Sequence, residues 1–512
     1  MFYNLCHDLC INFKIIVLLA IIATNSIMRS ILNNERFSKN MTIDWQKETA
    51  SRQVAYIEDL KSLLAIESVR DDSKATKDAP LGPGPTEALL KVLSIAERDG
   101  FTTKNIDNIV GYIEIGPKDA DEYVAILAHV DVMPAGEDWH TEPFVPVVTE
   151  DKIIARGASD DKGPGMAAYY AFKILSDLNV PLKRRVRLIF GTDEENDWLG
   201  MTRYFEVEPA PVFGFSPDAE YPIINGEKGN VQVVLDGDAT NGDADQLLAF
   251  ESGLRTNMVP GVARATVQTD DVNQIVAAFQ TFLTDNSDIS GTTDTTGNDI
   301  KFVLNGKQVH GAMPETGKNA GTYLANFLQT LNFGGTAKSF VTYLGTPAHQ
   351  DTIGKKFGVN YTDDVMGALS MNVGIQKFVA GEQAFINFNF RYPKGITPDD
   401  IVAGLTSKLD GWSVVPTIGG HAQVPHYVAP TDPIVKTLLR VYHEQTGLPA
   451  HDQVIGGGTY GRLMARGVAF GALFPDSPDT MHQVNEFALL DDLYRSISIY
   501  AQAIAEITNL DE

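Results

Sequence analysis

The sequence predicts an α/β protein with a mainly parallel central sheet flanked by helices, into which an α+β domain is inserted. Three observations carry this. Before Gly226, short apolar runs alternate with stretches of helical periodicity, the pattern of strands joined by helices. From 226 to about 425 the texture changes to alternating strands and turns rich in Gly, Asp and Thr, and after Pro425 the first texture returns. A length of 512 residues exceeds one ordinary domain. The expected organisation is a separate leader over 1–40, a discontinuous domain over 41–225 and 426–512, and the insert over 226–425.

Taken in order, residues 44–65 place Val54, Ile57, Leu60, Leu63 and Leu64 at helical spacing. Gly82-Pro83-Gly84-Pro85 reads as a break, with a helix resuming over Glu87 to Ala96. Tyr123 to Val130 (YVAILAHV) is a buried-strand run. A helix is expected over Gly163 to Leu178, and Arg185 to Gly191 (RVRLIFG) is a second buried strand. Pro211 to Phe215 is a shorter apolar run. The insert shows strands at Val231 to Leu235 and Ala384 to Phe390, the latter alternating apolar and polar in its second half, and two helical stretches near 272–284 and 319–331. The returning segment offers a helix at Asp432 to Thr446, a turn at Gly456-Gly457-Gly458, a strand at Val468 to Phe474 and a last helix from Asp491. In such sheets, sites collect where strands end at their carboxyl edge.

The charge balance, 41 basic against 66 acidic residues for a net −25, argues against nucleic acid or an anionic membrane surface as partner. Both cysteines, Cys6 and Cys10, precede Met41, so disulfides, thiolate ligands and a cysteine nucleophile are excluded from the body. The apolar run Ile15 to Ala23 is too short to span a bilayer but suits a signal-peptide core. An upstream start codon, with Met41 as the true beginning, is the other reading. A cytoplasmic protein without stable membrane association is expected, or a secreted one if the leader is a genuine signal.

Imidazoles and carboxylates cluster just beyond the apolar runs. His129-Val130-Asp131 ends the first strand, and a carboxylate two residues on can hold the ring's second nitrogen. A histidine satisfied at a strand end would look the same. Asp160-Asp161 stands at a glycine-flanked helix entrance, where an N-cap explains one carboxylate. Asp193-Glu194-Glu195 follows RVRLIFG, and three consecutive acids there repel one another unless cations or solvent intervene. Asp218 and Glu220 follow a further apolar run, and His482 lies beyond the Val468 to Phe474 strand. Together these provide what a paired-zinc site needs. Three carboxylates and a hydroxide balance two Zn²⁺, with neutral imidazoles completing the shells, and Co²⁺ or Mn²⁺ are possible substitutes. A carboxylate left free of metal could take a proton from the activated water.

HVDVMPAG, RGASDDKGPG, GTDEEN, SPDAEYPI and MHQVNE occur in the order seen in the di-zinc exopeptidase family, which includes carnosinases, aminoacylases and desuccinylases. The chain after Met41 resembles this family throughout, and the PepV-type dipeptidases within it most. The resemblance implies a zinc-exopeptidase-like catalytic domain with the insert as its lid. It implies that His129, Asp160 and Asp218 hold one zinc and that Asp160, Glu195 and His482 hold the other, with Asp160 bridging. Glu194 then matches the general base and Asp131 the residue that orients His129. In the insert, Asn257, His310 and Arg391 resemble lid residues that contact substrate. His310 or Asn257 could donate to a developing oxyanion, and Arg391 could pair with a free carboxylate. Gly457 and Gly458 could present backbone N–H groups to that same carboxylate.

The expected activity is hydrolysis of unblocked dipeptides by a monomer whose enlarged lid supplies His310 within one chain. A deacylase, desuccinylase or carboxypeptidase would share the metal chemistry and differ only in lid contacts. A zinc-dependent binding protein is the non-enzymatic alternative, and it has no use for a free base at Glu194.

Overall fold

Four parallel strands lie side by side in space as Arg185–Gly191, Tyr123–His129, Phe213–Ser216 and Gly467–Ala469. Two antiparallel strands, Val110–Ile115 and Thr102–Ile106, extend the sheet on the Arg185–Gly191 side. The computed structural model describes residues 43–511, so the leader expected over 1–40 lies outside the described residues. Of the described residues, those up to Glu48 fall in one compact unit and those from Thr49 onward in another. Among the described residues, no helix is long and apolar enough to cross a membrane.

Every residue of Tyr123–His129 is buried, as a strand covered on both faces requires. The helix Lys162–Asp177 packs against this strand and Arg185–Gly191, and is itself covered by the helices Gln53–Leu64 and Leu490–Ile507. On the opposite face, Tyr123, Ala125 and Leu127 join Met201, Tyr204, Tyr460 and Met464 in a second apolar cluster. With the period of two, His129 continues that face, and its ring meets Tyr460 edge-on at 6.3 Å.

A second sheet of eight strands is antiparallel throughout, and all its strands fall between Gly229 and Gln423. One of its faces carries Val231, Val233, Phe250, Phe302, Ile386 and Phe388 into a core shared with four helices. Two of these, Val272–Asp285 and Ala320–Leu328, match the expected stretches. Gly335–Gly345 and Pro398–Thr406 are additional. The latter had a readable start, since Pro398 occupies the first turn and Thr397 and Asp400 form a reciprocal capping box.

Three element readings change. The 44–65 stretch divides into Trp45–Ala50 and Gln53–Leu64, and Val54 is 81% exposed, so Tyr56, Leu60, Leu63 and Leu64 carry the buried face. The Gly-Pro repeat does not break the chain but opens the helix Pro83–Arg98, because proline at the first turn forfeits no helical hydrogen bond. Val468 to Phe474 splits at Gly471, whose φ of +78° turns Ala472–Leu473 away to pair with Ala219–Glu220.

Candidate metal centre

His129 ends its strand with the main-chain N donating to Asp161 Oδ2 at 3.1 Å. Its Nδ1 lies 3.0 Å from the Asp131 carbonyl oxygen and 3.4 Å from the Asp131 carboxylate. The carbonyl is thus the nearer partner, and it fixes the ring tautomer with Nε2 toward Asp160 and Asp218. The Asp131 carboxylate has another task as well: it accepts the main-chain N–H of Glu194 and of Glu195, each at 3.1 Å.

Asp160 stands between two imidazoles. Its Oδ1 is 3.0 Å from His129 Nε2, and its Oδ2 is 2.9 Å from His482 Nε2. Asp218 Oδ2 approaches His129 Nε2 at 3.6 Å, and Glu195 Oε1 approaches His482 Nε2 at 3.0 Å. Two ligand groups result, His129–Asp160–Asp218 and Asp160–Glu195–His482, each with donor atoms within 4.8 Å of one another. Asp161, by contrast, does not cap its helix; its carboxylate is buried, and one oxygen has no partner.

So many acids in one place titrate abnormally. Burial, followed by the charge of Asp160, lifts Asp218 to about 6 and Glu195 to about 7. Burial opposes charge on His482, yet Asp160 and Glu195 raise it to about 11. Glu194 is held well above the carboxylate range by burial and then by Asp218, with His129 opposing. The carboxyls of the cluster therefore hold protons because burial, and after it the crowding of negative charge, disfavours their ionised forms. Divalent cations would relieve that crowding, and a set of imidazole nitrogens and carboxylate oxygens without thiolate fits zinc and its borderline neighbours.

The insert contributes a second group of residues. Asn257 and His310 lie on neighbouring segments, joined by the Gly311 N–H donating to the Asn257 carbonyl at 2.7 Å and by a bridge between Met258 and His310. Desolvation first, then the charges of Arg391 and His482, lower the His310 imidazole. Arg391 is 7% exposed, and its Nε donates to Asn389 Oδ1 at 3.2 Å. Among the described residues no carboxylate pairs with it, and burial, reinforced by Arg462, lowers it to about 10. The glycine turn reaches the same place: a Cβ at Gly456 would sit 3.1 Å from Ala312 Cβ and 3.7 Å from Arg391 Cγ. At Gly458 it would sit 2.3 Å from Arg462 Nη1, whereas Gly457 is open except toward Ile455.

Sequence reasoning passed over Tyr460, whose buried hydroxyl has no partner beside the Asp131–Glu194 turn, and Glu486, a buried carboxylate behind Asp160. Glu486 lies inside a motif read for its histidine, and nothing in the polar stretch His482-Gln483-Val484-Asn485 marked it as buried.

Residues 125–506 match the model of peptidase family M20/M25/M40. A Staphylococcus haemolyticus protein named "Putative dipeptidase" is 43% identical over 465 residues, covering 90% of this chain and 98% of its own. A Staphylococcus aureus protein of the same description matches equally, at 43% identity over 90% and 98% of the two chains. Among solved structures, human carnosine dipeptidase 1 aligns over 91% of this chain and 99% of its own, with a TM-score of 0.53 at 15% identity. A di-peptidase of Saccharomyces cerevisiae aligns over 91% and 98%, with a TM-score of 0.55 at 13% identity. At those identities the structures speak for the fold alone. The family match and the near-full-length relatives speak for descent, and they make this chain a peptidase, a member of peptidase family M20/M25/M40.

Proposed function

We propose that the chain is a dipeptidase that hydrolyses the peptide bond of unblocked dipeptides and works with two divalent cations, zinc by preference. His129, Asp160 and Asp218 would hold one, and Asp160, Glu195 and His482 the other. When bound, the pair would polarise the scissile carbonyl and acidify a water. Glu194 takes the proton of the attacking water on its carboxylate and delivers it to the leaving amine nitrogen. Asp131 keeps Glu194 and Glu195 in register through their main-chain N–H groups. His310 or Asn257 donates to the oxygen that gains charge, and residues 226–425 serve as the lid that brings them.

The observation that carries the substrate assignment is Arg391. A guanidinium 7% exposed with no carboxylate partner among the described residues is costly unless a ligand supplies one. It lies beside the Gly456 turn, and the N–H groups of Gly457 and Gly458 would serve the same anion. A free α-carboxylate one residue from the scissile bond fits this arrangement, and the 43% identical relatives named as dipeptidases support it.

The test compares Leu-Leu, its N-acetylated form and Leu-Leu-Leu as substrates for the metal-loaded chain. The expected result is rapid cleavage of the free dipeptide alone. Preference for the acetylated peptide would replace this reading with a deacylase, and equal cleavage of the tripeptide with a broader exopeptidase.

A further inference from the structure

Glu486 has no part in the chemistry just described, yet it is 0% exposed and lies four residues beyond His482. Its oxygens take four N–H donors. Oε2 accepts from Arg156 Nη1 at 2.7 Å and from the Gly157 main chain at 3.1 Å. Oε1 accepts from the main chains of Ser159 at 2.8 Å and Asp160 at 3.2 Å. A buried carboxylate needs such partners. The informative point is that all four belong to the segment ending in Asp160, the carboxylate that both ligand groups share.

The approach to this contact is a short ladder. Phe487–Leu489 pairs antiparallel with Lys152–Ile154, and the Ala155 N–H donates to the Glu486 carbonyl at 3.1 Å. Beyond Ala155 the chain turns away, and the Glu486 side chain takes over from the strand as acceptor. The Asp160 main chain is thereby held while its two carboxylate oxygens face His129 and His482. The loop carrying His482 and Glu486 is also tied to a third segment, since Asn485 Oδ1 accepts the His140 N–H at 2.6 Å.

We infer that Glu486 is a positioning residue that registers the loop carrying Asp160 against the loop carrying His482, and so sets the spacing of the two cation sites. The inference rests on the metal reading above. It differs from a plain contribution to folding through the Arg156–Glu486 ion pair. Arg156 reaches Oε2 alone, whereas the Asp160 and Ser159 amides bond Oε1, so the two roles separate by mutation.

In Glu486→Gln, one side of the side chain becomes a donor facing donors, and the loop must shift. Metal-free full-length protein is titrated with Co²⁺, following bound equivalents and the visible d–d absorption, with circular dichroism as the check on folding. Wild type is expected to take up two equivalents. Folded Glu486→Gln is expected to bind at least one of them roughly 10–100-fold more weakly, with an altered d–d spectrum. Arg156→Lys, which keeps a cation beside Glu486, is expected to melt at a lower temperature yet show the wild-type cobalt spectrum. Two wild-type cobalt sites in Glu486→Gln overturn the inference, as does equal cobalt loss in Arg156→Lys at an equal loss of thermal stability. If Glu486→Gln does not fold, Glu486→Asp, which draws both oxygens back by one methylene, is titrated and read the same way. A wild-type chain that binds no cobalt overturns the metal reading and this one with it, whereas two sites in wild type and in the variant overturn this one alone.

Discussion

Glu194 and Glu195 are adjacent in sequence but point to different tasks, because Asp131 accepts both of their main-chain N–H groups and fixes the turn from which they diverge. Glu195 reaches His482 at 3.0 Å, while Glu194 forms no ion pair among the described residues. Burial first, then Asp218, with Glu195 and Asp160 adding to it, keeps the Glu194 carboxyl well above the usual range. Cations in the neighbouring groups would oppose that repulsion and favour the ionised base. Glu194→Gln preserves size and leaves all five ligand side chains in place. It should retain bound metal by elemental analysis while turnover of Leu-Leu falls about 10²–10⁴-fold, the usual share of a positioned base. Unchanged turnover would remove Glu194 from that role.

At the scale of elements, the strands buried on both faces were the most legible. Arg185–Gly191 has the same limits in the sequence reading and in the structure, because Leu188 to Phe190 form an apolar run that ends at acidic residues, and Arg187 is accommodated by pairing with Glu114 and Glu208. Gln383–Tyr392 was harder. Its alternation is real, but the polar face is also covered: Asn387 and Asn389 are 4% and 1% exposed, with Asn389 Nδ2 donating to Asn230 Oδ1 at 2.8 Å. Alternation separates two faces without saying what lies over either. Gly335–Gly345 went unread because glycine and threonine at its start weaken the helical signal, and packing of Phe340, Val341 and Leu344 decides it instead. Capping was readable in Asp432, whose Oδ1 accepts the Ile434 N–H at 3.0 Å while Arg466 bonds both oxygens at 2.8 and 2.9 Å. Burial pushes this carboxyl up, but Arg466 and the Ile434 N–H outweigh it and hold it below its ordinary value. A depressed carboxylate stabilises the fold above its unfolded pKa of about 3.9 and loses that contribution as pH falls through the folded value. Asp432→Ala should therefore loosen the start of Pro433–Thr446 by about 1 kcal/mol near neutrality. Hydrogen exchange of its first-turn amides should quicken roughly fivefold, consistent with that energy. The gap between mutant and wild type should close as the solution is acidified below about pH 4. A gap that does not change with pH would show that the cap works without its charge.

For the molecule as a whole, the ligand groups draw on positions from His129 to His482. His129, Glu195 and Asp218 lie at or just beyond the carboxyl ends of parallel strands of one sheet. Asp160 instead stands at the entrance of Lys162–Asp177 and His482 lies beyond Ala472–Leu473, so the order of the motifs marked these two and strand position did not. What the sequence does not contain is the distance between the two sheets. His310 and Arg391 belong to the antiparallel sheet and its loops, and no local pattern says that they come close to groups on the parallel one. In the structure Arg391 lies against the Gly456 turn, which follows a strand outside the antiparallel sheet of the same chain. A site complete in one chain behaves differently from one completed by a neighbour. If a second copy supplied His310, mixing His310→Ala with Glu194→Gln would pair an intact lid with an intact base and restore part of the activity. Under the reading proposed above, in which lid and base act within one chain, each variant keeps its own lesion. The mixture is expected to turn over Leu-Leu no faster than the sum of its two components, and sedimentation of the wild type is expected to give a monomer. Recovery of activity on mixing would require His310 to act on another copy, and the in-chain arrangement of lid and ligand groups would then not be the working one.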